Sequence, residues 1–148
     1  MRFLKVLSIS ILMCLVFSGS ISAEISSKKE NFDWRPVMDA IMMVESRDNA
    51  KAKNGQFVGI LQISPILVRE CNNILRGRGS KKRYSLSDRF DANKSREMFV
   101  IIQSFHNPLN SVERAIRLWN GGLAYTVRST QRYFERVYEP FALEKFPI

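Results

Sequence analysis

A mainly helical single domain with one short extended segment is what the 148-residue sequence predicts, and three features lead there. Apolar residues recur at helical spacing in separate stretches: Val37, Met38, Ile41, Met42, then Met98, Ile101, Ile102, Phe105, then Val112, Ala115, Ile116, Trp119. Helix start and stop signals bracket those stretches. Only QFVGILQI, residues 56–63, is too short and too glycine-interrupted for a helix, so it reads as an extended segment or hairpin arm around Gly59.

In chain order, residues 1–23 combine a basic start (Arg2, Lys5), an apolar run from Leu7 to Phe17 and the small-residue tail SGSISA, the pattern of a secretory signal peptide. Cleavage is expected after Ala23, or after Ser20. Lipid attachment at Cys14 is disfavoured because bulky Met13 precedes it, and the apolar run is far short of the roughly 20 residues of a membrane span. Residues 24–148 then supply one compact domain with one core. Its first helix starts near Trp34, with Asp33 as N-cap and Pro36 in the first turn, and runs to about Arg47. Polar NAKAKNG breaks it. After the extended segment, Pro65 opens a helix that holds Ile66 to about Leu75.

RGRGSKKRYSLSD is the most loop-like stretch. It carries Arg76, Arg78, Lys81, Lys82 and Arg83, which read first as a solvated surface and second as a contact for an anionic glycan. A helix from Asp91 to about Phe105 follows. The next begins at Asn110, where Asn110 and Glu113 have capping-box spacing, and stops at Gly121-Gly122. A last helix from about Ala124 to Val137 leads into the tail EPFALEKFPI.

The 23 Lys and Arg against 14 Asp and Glu give a formal charge of +9, and removing Arg2 and Lys5 with the leader leaves about +7. That balance suits an anionic partner such as a cell-wall polymer, or serves solubility alone. Export argues against nucleic acid. Only Cys71 survives processing, so no internal disulfide is expected, and its neighbours Leu67, Val68 and Ile74 mark a buried structural thiol rather than a nucleophile. With one histidine, His106, and that one cysteine, a zinc site is not expected.

One residue breaks the apolar pattern of the first helix. Glu45 falls four positions after Ile41, partly on the inward side and close to the helix C-terminus. Desolvation and the negative end of the helix dipole both disfavour a carboxylate there, so both raise its pKa. A carboxylic acid held protonated near neutral pH is what general-acid cleavage of a glycosidic bond requires. The residues alone favour a second reading, a helix-end Glu whose stem reaches water or pairs with Arg47 or Lys51.

Four elements then carry a family likeness. Glu45-Ser46, followed by Gly59-Ile60-Leu61-Gln62-Ile63 and Pro65, resembles the E-S…G-L-M-Q-I-x-P signature of lytic transglycosylase domains of the SLT type, in the lysozyme-like superfamily. Leu118-Trp119-Asn120-Gly121-Gly122 is similar to that family's A-Y-N-A-G segment, and Thr130-Gln131-Arg132-Tyr133-Phe134 to its E-T-R-x-Y-V segment. The elements occur in the family's order from about Trp34 to Val137. Ile60-Leu61, Leu118-Trp119 and Gln131 depart from the pattern.

The resemblance implies a lysozyme-like α+β fold, still mainly α, and an exported enzyme that cuts the bond between N-acetylmuramic acid and N-acetylglucosamine without cofactor or metal. It implies Glu45 as acid and base, Ser46 orienting local backbone or the acid, and Gly59 letting backbone and sugar approach closely. Gln62 and Asn120 are expected to aim amides at the sugar, and Tyr133 to hydrogen-bond near Glu45. Hydrolytic glycosidases place two acids across the scissile bond. Of the five aspartates, Asp33, Asp39 and Asp48 lie along the helix of Glu45, and Asp88 and Asp91 could come from another element. Glu45 is therefore expected to act alone, giving 1,6-anhydromuramoyl ends. A hydrolytic muramidase and a non-catalytic wall-binding or secretion-apparatus protein are the alternatives. The expected partner is the peptidoglycan glycan strand, met by a monomer, with a secretion or conjugation apparatus left open.

Overall fold

The computed structural model describes residues 32–145, so the expected signal peptide lies outside the described residues. Among these, α1 (Arg35–Ser46) is followed by a hairpin of β1 (Lys53–Asn54) and β2 (Phe57–Val58). Then come α2 (Pro65–Gly77), a short 3₁₀ helix (Leu86–Phe90), α3 (Ala92–His106), α4 (Val112–Gly121) and α5 (Val127–Lys145). The mainly helical class is as the sequence predicts. β1 and β2 pair antiparallel, Lys53 opposite Val58 and Asn54 opposite Phe57, and an isolated bridge joins Val58 to Ile63.

Side-chain caps set most helix starts, sometimes one residue from where the sequence suggests. Trp34 rather than Asp33 is the N-cap of α1; the Asp33 carboxylate instead accepts from the Arg35 amide at 3.0 Å and grips its guanidinium. Ser64 caps α2 by accepting from Leu67 N, and Asp91 caps α3 by accepting from the Asn93 and Lys94 amides. The expected Asn110–Glu113 box does not form. Ser111 accepts from Arg114 N at 3.2 Å, while Asn110 sits in the preceding turn at φ +53°. Glu113 is drawn to Arg117 at 2.8 Å.

α5 departs most from expectation. It starts at Val127, after Thr126 and Ser129 have exchanged side-chain-to-amide bonds, and it passes through Pro140 to Lys145. The predicted tail is therefore helical. Proline costs a helix one hydrogen bond and some strain, but Val137 and Phe141, one turn apart on either side of it, are both buried.

The core is one cluster. α1 turns Val37, Met38, Ile41 and Met42 toward α4 and α5, while α2 packs on α3 through Val68, Cys71, Ile74, Met98 and Ile102. An aromatic row joins the two halves: Trp34 meets Phe99 at 5.8 Å and Phe99 meets Trp119 at 4.8 Å. Cys71 is buried with its thiol donating toward Met98 O, which fits the structural role expected of it. No described helix is long and apolar enough to cross a membrane.

Candidate active site

Glu45 is the penultimate residue of α1. The chain reverses immediately beyond it, because Arg47 and Asp48 both take left-handed backbone at φ +51° and +61° and the Arg47 amide turns back to the Met42 and Met43 carbonyls. That reversal leaves Glu45 half-buried and facing α5. There the Tyr133 hydroxyl donates to Glu45 Oε1 at 2.7 Å, across 88 residues of sequence. Burial is the main influence on the acid and raises its pKa; the Tyr133 hydrogen bond and the charge of Arg136 pull in the opposite direction and are outweighed. The Tyr133 hydroxyl is itself pushed well above the usual phenol range by burial and by Glu45. It therefore stays a donor to Oε1, and Oε2 is the oxygen left to carry a proton whenever the acid is neutral.

Beside the acid lie residues 59–63, and the carbonyls of Gly59, Ile60, Leu61 and Ile63 each have a partner. Gly59 O accepts from both the amide and the side-chain Nε2 of Gln62, the latter at 2.8 Å. Ile60 O accepts from Ser46 Oγ at 2.8 Å, and Leu61 O from Trp119 Nε1 at 3.1 Å. Ile63 O accepts from Val58 N and from the buried guanidinium of Arg89, which also donates to Gln56 O. Buried backbone acceptors need partners, and here four elements supply them to one five-residue segment. Ser46 thus fastens the end of α1 to this segment.

Gly59 has a requirement for glycine that the sequence does not show. Its backbone is left-handed, φ +79°, and a Cβ would lie 1.8 Å from the carbonyl oxygen of Arg89. The 3₁₀ helix that carries Arg89 approaches too closely for any other residue. Gln62 adopts φ +51°, uncommon for a residue other than glycine. Its Nε2 donates to Gly59 O, which engages one of the two hydrogens of the side-chain amide.

A groove of about 400 Å³ runs between the hairpin, α2, α3 and the end of α4. Asn120 and Trp119 line one wall, Phe57, Ile66 and Leu67 the other. Asn120 is exposed there, while Glu45, Gln62 and Tyr133 are not among the residues that line this groove. Trp119 is half-buried, with its ring against Phe99 and its nitrogen on Leu61 O, so it joins core and groove. The groove also holds a pair that sequence reasoning passed over, His106 Nε2 and Glu70 Oε1 at 2.8 Å. Helical phase could have exposed Glu70, which faces the same way as Ile66 and Leu67; nothing in the sequence joins it to His106.

Both candidate second acids already have structural partners. Asp88 binds Lys94 at 2.6 Å and the Ser85 amide at 2.7 Å, contacts that lower its pKa, and Asp91 is spent on the cap of α3. Cys71 is no nucleophile either, since burial pushes its thiol up to about 12. Among the described residues no group of three or more His, Cys, Asp and Glu could hold a metal ion. No protein family, no curated protein sequence and no solved structure matches this chain.

Proposed function

We propose that the chain is an exported, lysozyme-like peptidoglycan lytic transglycosylase in which Glu45 is both acid and base. One observation carries the reading: Tyr133 and Glu45, assigned to one site from separate sequence elements, meet at 2.7 Å. Three further features support it. The acid is raised in pKa by burial, the Gln62 segment is pinned to the same helix end through Ser46, and Asn120 lies on a groove walled by α4. In the proposed reaction the Oε2 proton passes to the glycosidic oxygen as the bond to C1 of the muramoyl residue breaks. The substrate's own N-acetyl oxygen stabilises the cation that develops. Glu45, now a carboxylate, takes the proton of the C6 hydroxyl, whose oxygen closes on C1. Proton and electron count are restored without water, and the product is a 1,6-anhydro sugar. The commitments of Asp88 and Asp91 favour this over hydrolysis, which needs a second group to activate water.

Zymography on purified peptidoglycan tests the reading: the parent should clear and Glu45→Gln should not. Mass spectrometry of the soluble fragments then decides the product, because the anhydro end is lighter by one water. Equal clearing by both proteins refutes the role of Glu45, and reducing-end fragments refute the anhydro route.

A further inference from the structure

Arg117 is 3 % exposed, and its ion-pair partner Glu113 keeps a side chain 56 % exposed. The rest of its environment is neutral. Nη1 donates to Val127 O and Thr130 Oγ1, both at 3.1 Å, and Nη2 to Gln131 Oε1 at 3.0 Å. The guanidinium carbon stands 4.3 Å from the centroid of the Phe134 ring. These four partners have the spacing i, i+3, i+4, i+7, which is one face of a helix over its first two turns. A single planar group on α4 therefore fixes both the rotation and the axial position of α5 where it begins. The junction has little slack, for a Cβ on Gly121 would lie 2.6 Å from Tyr125 Cβ and 2.8 Å from Thr130 Cγ2.

A buried cation is a poor device for stability alone, since an apolar side chain of similar volume usually serves as well. A rigid fork that fits several acceptors is a good device for placement. What it places is next in the helix. Tyr133 lies three residues after Thr130 and one before Phe134, so its direction follows from the phase that the clamp imposes. We propose that Arg117 is a positioning residue whose grip on the start of α5 holds the Tyr133 hydroxyl on Glu45. The consequence for rate rests on the reading of Glu45 as the acid; the placement can be measured without substrate.

The test compares Arg117→Met, Arg117→Lys, Tyr133→Phe and the Arg117→Met/Tyr133→Phe double variant by NMR titration of the ¹³C-labelled Glu45 carboxyl, with urea unfolding to establish folding. Tyr133→Phe should raise the Glu45 pKa, because the hydrogen bond it removes favours the carboxylate. Arg117→Met should raise it as well, Arg117→Lys should not restore it because the fork is gone, and the double variant should titrate like Tyr133→Phe alone. On peptidoglycan, Arg117→Met should lower kcat about tenfold with KM within about twofold. A folded Arg117→Met with the parent's titration, full rescue by lysine, or a double variant shifted beyond Tyr133→Phe overturns the proposal. Should Arg117→Met not fold, Thr130→Val and Gln131→Leu each remove one arm: a smaller upward shift supports the clamp and an unchanged titration overturns it. If the parent cleaves no peptidoglycan, the enzymatic reading falls while the titration still decides the clamp.

Discussion

Replacing Gly59 by alanine separates two roles for this residue, and its cost can be worked from the structure. The left-handed backbone at φ +79° is strained for any residue with a Cβ, by about 1–2 kcal/mol. The added carbon would stand 1.8 Å from Arg89 O, and real contacts do not fall below 3.0 Å, so the gap must open by about 1.2 Å. Arg89 cannot simply retreat. Its guanidinium holds Gln56 O and Ile63 O, and its carbonyl accepts from Ser95 Oγ at 3.0 Å. Overpacking against so fixed a neighbour adds about 1–3 kcal/mol, for a total of about 2–5 kcal/mol out of the roughly 5–15 kcal/mol typical of a domain. At about 3–5 °C per kcal/mol for this size, Tm should fall by about 6–25 °C in thermal unfolding followed by circular dichroism. Gly55→Ala is the control: its φ is +59° but nothing lies within 4 Å, so only the backbone cost of about 1 kcal/mol applies. Should Gly59→Ala prove no less stable than Gly55→Ala while losing affinity for glycan, the argument from Arg89 is wrong and Gly59 belongs to the groove.

Glu45→Gln should be more stable than the parent at neutral pH. The folded-state pKa of Glu45 is raised, so between the ordinary carboxyl value near 4.3 and that raised value the folded state binds the extra proton. Parent stability then falls as pH rises through this window, and the two urea midpoints should converge again in acid; a variant less stable than the parent at pH 7 contradicts this. Peptidoglycan cleavage should decline as pH rises through the same pKa, with an acidic-to-neutral optimum, and Tyr133→Phe should move the declining limb upward; a rate flat into alkali counts against Glu45 as the acid. Cys71, with its thiol near 12, should react with a maleimide at pH 8 on the order of a thousandfold more slowly than in the unfolded chain. Rapid labelling of the native protein would show that the α2–α3 contact opens readily.

What the sequence made legible is local or periodic. Glu45 stood out because helical phase called for a hydrophobe there, and the helices themselves followed from spacing and breakers. Shifts of one residue, such as Ser111 for Asn110 as cap, arise because both residue types can accept from a helix amide and only the backbone decides which is placed to do so. The length of α5 was misjudged because Pro140 reads as a stop, although Val137 and Phe141 keep the helical phase across it. The two buried arginines were invisible for a different reason. Arg117 shows four-residue spacing from Glu113, the mark of a solvated surface pair, and Arg89 directly follows the polar stretch RGRGSKKRYSLSD, in the short 3₁₀ helix. Each is buried by partners at least ten residues away, among them Val127 for Arg117 and Gln56 and Ile63 for Arg89.

The held carbonyls of residues 60 and 61 bear on the positions where the chain departs from the transglycosylase signature it resembles. Ile60 and Leu61 stand where that signature has Leu and Met, yet both side chains are buried and both carbonyls are held, by Ser46 and Trp119 respectively. What this segment must supply is apolar volume inside and a backbone fixed well enough to carry Gln62 at φ +51°. Swaps among aliphatic side chains of similar volume preserve both. Trp119 in place of the family's Tyr is a larger change, since its indole nitrogen makes the bond to Leu61 O that joins α4 to the segment. α4 thereby reaches both the segment that carries Gln62, through Trp119 and Leu61, and the helix that carries Tyr133, through Arg117. A shift of α4 should therefore disturb acid and amide together, whereas a change confined to the hairpin tip at Gly55 should leave the Tyr133–Glu45 bond as it is.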